Sequence, residues 1–566
     1  MFIRINQTQN SPRKSVQIVE SKRDGHKVRT KILRHVGIAM DDVELQKLKS
    51  LAQDIIAKMT VETENASKQL ALFHQTESEV VDSLKKKEQK KLGRPVTKKI
   101  EDILPIDQVT LDKIVEEKRV IEGVEDIGGR VYNDLGLSNI TGSKRQDKIL
   151  KDIVLSRLVA PYSKHKLSQV LETKFDKPND LDAIYRMMDA LHPKIDAVKT
   201  KVFESTRALI PGEVNLMLFD VTTLYFESVE TDDLRKFGYS KDHRFNTTQV
   251  VLALCTNGDG LPLGYELFSG NTAEVTTLIA SITKWRQNFN IKEVCFVGDR
   301  AMFSEANLKL LDEHGYQYIV AAKLRNLKSH MQNQILNEQN YKPVRFGEEL
   351  GWVGEFKHND RRLISSYKTK RAVNDAKNRQ RVLDKIDKLL AKSSDGNKLI
   401  SNHGIKKYTK SLNKSKVVID QAKVDIDAVW DGVHGVITNI KYRPAQEILS
   451  RYASLWAIEE SFRINKHTLK MRPIYHWKKE RIESHIAICY MSFAVLRSIQ
   501  YRVRLTQKIS VDNIIEELLN VQASIYVHAD TGDRYRVPGH VTHNASKIYK
   551  ALGCIRSPNA TVYLPH

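Results

Sequence analysis

With 566 residues the chain is longer than one domain comfortably supports, and 41% hydrophobic with 28% charged residues excludes a disordered chain. The 91 Lys and Arg exceed the 69 Asp and Glu by 22, a formal charge that predicts an anionic partner, nucleic acid foremost. No apolar run approaches the roughly 20 residues that span a bilayer, the opening MFIRINQTQNSPRKS has no apolar signal core, and four scattered cysteines without a CxxC pair argue against a zinc site or disulfides, so a reducing cytoplasm and no membrane partner are expected.

Residues 1–40 alternate like strands around an Asp24-Gly25 turn and predict a small basic sheet. Residues 41–106 read as a long polar helix running into a Lys-rich linker. The linker's Gly93-Arg94-Pro95 core is either solvated chain or a minor-groove arm carrying Arg94. From 107 to 208 the pattern is helical throughout. Within it a helix, a stop at Pro161 and a second helix opening with Ser163, Lys164 and Lys166 suit a helix-turn-helix or any helical bundle.

After Pro211-Gly212 the period changes to that of strands. VNLMLFD, TQVVLALC and LPLGYELFSG follow in quick succession, the last two joined by Asn-Gly-Asp-Gly. A helical stretch, VCFVGD, another helix and YIVAAK come next. The order β-β-β-α-β-α-β predicts an α/β fold with a mixed sheet, an antiparallel meander extended by parallel crossovers, over 209–326. Residues 327–430 break the pattern and read as an inserted β-rich or mixed domain. A strand, the segment Tyr452–Arg472 and a long apolar helix fill 431–505, and 506–566 is a mixed tail.

Asp220 and Asp299 each close an apolar run, where an open α/β sheet presents ligands, although either could also cap a turn. Tyr452–Arg472 reads as one amphipathic helix. Leu455, Ile458, Phe462 and Leu469 share a stripe, and Tyr452, Glu459, Arg463 and Lys466 flank it. An ordinary surface helix with a Glu459–Arg463 ion pair fits the same pattern. Two strand-end carboxylates and a rim glutamate supply hard oxygen ligands for Mg²⁺ or Mn²⁺, and two such ions perform phosphodiester chemistry. No HExxH, P-loop or GxSxG competes as a site.

LMLFDVTTLYFES around Asp220, FVGDRAMFSEANLKLL around Asp299 and YASLWAIEESFRINKHTLKMRPIYHWKKERIESHI around Glu459 resemble bacterial insertion-sequence transposases of the DDE class. The resemblance is to the group with a Tyr-(2)-Arg-(3)-Glu-(6)-Lys signature and a large insertion before the glutamate. Gaps of 79 and 160 residues separate the three acids, and GYSKDHR and PLGYELFSGNTAE add to the likeness. It implies an RNase H-like catalytic domain interrupted by an insertion and preceded by DNA-binding regions. Asp220, Asp299 and Glu459 would be catalytic and hold two Mg²⁺ or Mn²⁺ ions for end cleavage and strand transfer. Tyr452, Arg463, Lys466, Arg300, Lys164, Lys166 and Arg94 would contact DNA. The implied partners are double-stranded DNA, both terminal inverted repeats and target, and a second copy in a dimer or larger assembly in the bacterial cytoplasm. Leu455 stands where the signature has arginine, and Arg463 is the cation expected to replace it. A metal-dependent nuclease without strand transfer, or a domesticated DNA-binding protein with a dead site, are the rival readings.

Overall fold

The structure is a computed structural model. It describes residues 2–7, 14–24, 27–39, separate positions between 42 and 56, and 105–564 except 211–215, 228–229, 239–246, 273–276, 278–279, 286–294, 299–304, 391–405 and 414–415. Residues 1–102 and 103–566 are two compact units. In the first, β1 (Phe2–Gln7), β2 (Lys14–Asp24) and β3 (Lys27–Ala39) form an antiparallel sheet in that order. Alternation puts Val16 and Ile18 inside, against Ala39, Leu45 and Ala52. Arg94 lies outside the described residues.

The second unit is built on a nine-stranded mixed sheet. Strands β5 (Leu216–Tyr225), β6 (Gln249–Thr256) and β7 (Pro262–Ser269) form an antiparallel meander. On the other side of β5, β8 (Cys295–Gly298) and then β9 (Gln317–Ala321) pair in parallel. The Asn-Gly-Asp-Gly turn closes the β6–β7 hairpin, with Asn257 Oδ1 accepting from the amides of Asp259 and Leu261 at 3.0 and 2.8 Å. All of β6 is buried, as expected for a strand covered on both faces.

The two faces have separate cores. Met217, Phe219 and Val221 of β5 pack with Phe203, Trp285, Leu308 and Leu311. Leu218 and Leu224 pack on the opposite face with Ile458, Phe462 and the apolar helix Lys479–Arg504. That helix is the one long and apolar enough to cross a membrane among the described residues, and its apolar window is 94% buried. Helices Lys144–Ser156, Leu181–Leu191 and Ile195–Leu209 pack around it.

Two expectations need correction. Residues 327–430 do not form a separate β domain: β10 (Tyr341–Phe346), β11 (Glu349–His358) and β12 (Arg361–Tyr367) extend the central sheet through β15 (Val433–Thr438), which pairs with β9. The rest of the stretch, helix Thr369–Leu390 and hairpin β13 (Thr409–Asn413) and β14 (Lys416–Ile419), centres on a small core of Ile386, Tyr408 and Val424. Nor is 107–208 helical throughout, because β4 (Ile114–Ile121) pairs with β16 (Gln522–His528). With β17 (Arg534–Pro538) and β18 (Thr561–Val562) they complete a second, four-stranded sheet. The backbone partners that make β4 a strand lie about 400 residues away, so local periodicity cannot reveal it.

Candidate active site

Asp220 is not at the end of its strand. The β-branched run Val221-Thr222-Thr223 continues β5, paired with β6 as far as Tyr225↔Gln249. The parallel ladder to β8, however, reaches only Leu218↔Val297. Asp220 is half-buried, shares the face of Leu218 and Leu224 by alternation, and its Oδ1 accepts from the amide of Val221 at 2.8 Å. Asp299 and Arg300 fall outside the described residues, Asp299 following directly on β8 in the chain.

Glu459 lies on helix Trp456–Arg463, which packs against β5 and β6. Ile458 and Phe462 enter the core shared with Leu218 and Leu224, so this helix covers the sheet face that carries Asp220. Glu459 is exposed, and no cation pairs with it among the described residues. Its neighbour Glu460 is the opposite. Glu460 Oε2 accepts from Arg497 at 2.7 Å, and Arg463 approaches its other oxygen at 3.6 Å.

Arg497 is 1% exposed and also donates to the carbonyls of Asp259 and Gly260, at 2.7 and 2.9 Å, and to Gln500 Oε1 at 2.7 Å. It therefore ties the glutamate helix to the β6–β7 turn. Gly260 permits this through φ +77° and the lack of a side chain, since a Cβ there would meet Arg497 Nη2 at 1.7 Å. Sequence reading missed this clamp. The available signal was Arg497 itself, a charge within the apolar run MSFAVLRSIQ.

The single helix expected from Tyr452 to Arg472 is three pieces. Tyr452 ends the preceding helix, Ala445–Ala453, and a tight joint at Ser454-Leu455 closes with Ala457 N bonding Ser454 O and Ile458 N bonding Leu455 O. After Arg463 the chain widens into a π turn over Ile464–Thr468, with Leu469 N bonding Ile464 O. Neither stretch advances by 100° per residue, so the expected row of Tyr452, Glu459, Arg463 and Lys466 does not form.

Tyr452 instead packs its ring 5.1 Å from that of His434, beside a cavity shared with Lys368 and Arg371. Arg463 sides with Glu460 and lines a different cavity with His467 and Pro161. Leu455, where the cation is absent, buries its own side chain in the core. Lys466 is half-buried, its ammonium 6.0 Å from the Phe462 ring.

Lys166 is exposed and lies over Tyr162, whereas Lys164 is 4% exposed and turned inward, away from the open surface. Lys164 heads the stripe Leu167, Leu171 and Phe175 of helix Lys164–Phe175, and this i, i+3, i+7, i+11 spacing turns it inward.

Residues 213–494 match the protein family described as Transposase DDE domain, a span that includes Asp220, Asp299 and Glu459. The chain carries a transposase DDE domain. The mixed sheet, its insertion and the glutamate helix all fall within this domain, and the helices before residue 213 and the sheet formed by β4, β16, β17 and β18 lie outside it. No curated protein matches the sequence. Among solved structures, the chain is similar to the piggyBac transposase in a cryo-EM synaptic complex with hairpin DNA. The identity is 9% and the TM-score 0.35, over 70% of this chain and 77% of the other.

Proposed function

We propose that this transposase cuts the ends of a mobile DNA element and joins them to target DNA, using an RNase H-like site of Asp220, Asp299 and Glu459. The observation that carries the reading is that Asp220 and the helix bearing Glu459 share one face of the sheet, inside the DDE domain. A half-buried carboxylate and an exposed one suit hard divalent cations such as Mg²⁺ or Mn²⁺. Two such ions, when bound, activate water and stabilise the leaving oxygen.

The protein's own part is to fix these oxygens. The strand ladder holds Asp220, and the Glu460–Arg497 clamp holds the helix that presents Glu459. Strand transfer exchanges one phosphodiester for another, so no nucleotide hydrolysis is required. We assign Lys466, seven residues beyond Glu459, to the phosphates beside the cut, and we assign two copies of the chain to a pair of element ends.

The test is single-turnover cleavage of duplex DNA from the flanks of the encoding element. Nicking that exposes a 3′-OH with Mg²⁺, and none with EDTA, is expected. Metal-independent cleavage would overturn the reading, and cutting without any joined product would favour a simple nuclease. Affinity for the same DNA should fall by about 10³-fold between 50 and 200 mM salt if six or more phosphates are neutralised. A flat salt series would mean that the +22 charge serves another purpose.

Lys466→Ala is expected to slow end cleavage by about 10²-fold through mispositioning of the phosphate, with metal affinity retained. Isothermal titration with Mn²⁺ beside the cleavage assay separates the two, and wild-type cutting by this variant would remove Lys466 from the site.

A further inference from the structure

Lys164 does not merely escape the surface. It faces a cavity of about 580 Å³ that Arg157, Arg472, His476, His485 and Tyr185 also line. Arg157 is 2% exposed, and its Nε and Nη1 find no hydrogen-bond partner among the described residues, while Nη2 donates to the carbonyl of Lys470 at 2.7 Å. Lys164 Nζ and His485 Nδ1 are likewise buried without a partner among the described residues.

No carboxylate lines the cavity among the described residues. The nearby Arg481 is already forked onto Asp189 at 2.8 and 2.9 Å. Burial and the Arg157 guanidinium push the Lys164 ammonium down to about 7, and burial with Lys164 drives His476 down to about 3. The N-terminus of helix Lys164–Phe175 opens on the same space, Ser163 to His165 forming part of its wall. Two cationic side chains buried without a counter-charge are costly unless an anion completes them.

We propose that this cavity binds a phosphate group. One side of its wall, Lys470 to His476, belongs to the segment after the glutamate helix, which runs beside the far end of β5: Ile474 N bonds the Tyr225 carbonyl at 3.2 Å, and the Arg472 guanidinium lies 5.2 Å from the Tyr225 ring. Tyr225 is five residues past Asp220 on an extended strand, roughly 16 Å at about 3.3 Å per residue. A DNA strand crossing the sheet would thus reach the cavity a few nucleotides from the cut. This placement rests on the transposase reading, whereas the phosphate chemistry does not.

The experiment compares thermal melting in phosphate and in chloride at matched ionic strength and pH. Wild-type protein is expected to gain at least about 2 °C at saturating inorganic phosphate. Lys164→Met should melt higher than wild type in chloride, having lost an uncompensated buried charge, and should show no phosphate gain. Arg472→Gln, at a half-buried position, tests the same loss should the first variant fold poorly. An equal phosphate gain in wild type and both variants, or none in wild type, would overturn the proposal.

A second arm measures duplex DNA binding against salt. If a backbone phosphate is the occupant, Lys164→Met lowers the slope of log affinity against log salt by about 0.9. An unchanged slope beside a lost phosphate gain identifies a free phosphate instead. Because the melting arm contains no DNA, its failure is separate from any failure of the transposase assignment.

Discussion

Glu459→Gln and Asp220→Asn should each lose DNA end cleavage while binding end DNA almost normally and staying stable, whereas Glu460→Gln should lose stability and keep cleavage. Losing a group that only orients a metal ligand costs about 10–100-fold. Loss of the ligand itself is therefore set higher, near 10³-fold or about 4 kcal/mol of transition-state stabilisation. Glu459 is exposed and without an ion pair among the described residues, so its amide variant should stay within about 0.5 kcal/mol of the parent in stability. Glu460 accepts a charge-assisted bond from buried Arg497, and its amide variant should lose about 2 kcal/mol. Single-turnover cleavage and denaturant midpoints on the three variants decide the matter. If Glu460→Gln stops cleavage at unchanged stability, the two adjacent glutamates have been assigned the wrong way round.

Arg497→Met is expected to be the most destabilising single change in the helical layer. It leaves Glu460 half of its pairing and strips the donors from two turn carbonyls and Gln500. Removing one partner of a buried ion pair costs about 3–5 kcal/mol, because the remaining groups stay buried and unsatisfied. Burial pulls the Arg497 guanidinium below its ordinary pKa, while its hydrogen bond to Glu460 pulls it back up. Gly260→Ala should fail similarly, since any Cβ collides with the same guanidinium. Urea unfolding followed by circular dichroism measures both. A midpoint within error of wild type for Arg497→Met would show that the turn and helix hold each other by apolar contact alone.

The central sheet was legible in the sequence because its signals are local. Period-two apolar runs marked β5 to β9, and Asn257 to Gly260 marked the hairpin through turn chemistry. What stayed hidden depends on distant partners. KIVEEKRVIE carries four consecutive charges and reads as helix until β16 supplies its backbone bonds. The joint at Ser454-Leu455 has no Gly or Pro to announce it, and the π turn after Arg463 widens a run that looks continuous on a wheel. The facing of the short helix that carries Glu459 was legible because Ile458 and Phe462 put its apolar side in the core. Lys164 was misread because its charge was weighed and the apolar stripe beneath it was not.

The pairing of β4 with β16 sets a timetable for the ribosome. Ser524 Oγ donates to Glu116 across 408 residues of chain, and the partners of β4 emerge only after the whole DDE domain. At about 5–20 residues per second, that interval lasts roughly 20–80 s. Throughout it β4 is an unpaired edge, and the run Glu116, Glu117, Lys118 and Arg119 keeps that edge charged and hydrated, which discourages apolar strand addition there. Glu116, Glu117 and Lys118 later bond Ser524, Arg534 and Asp176, so one short charged stretch serves first as a guard and then as a latch.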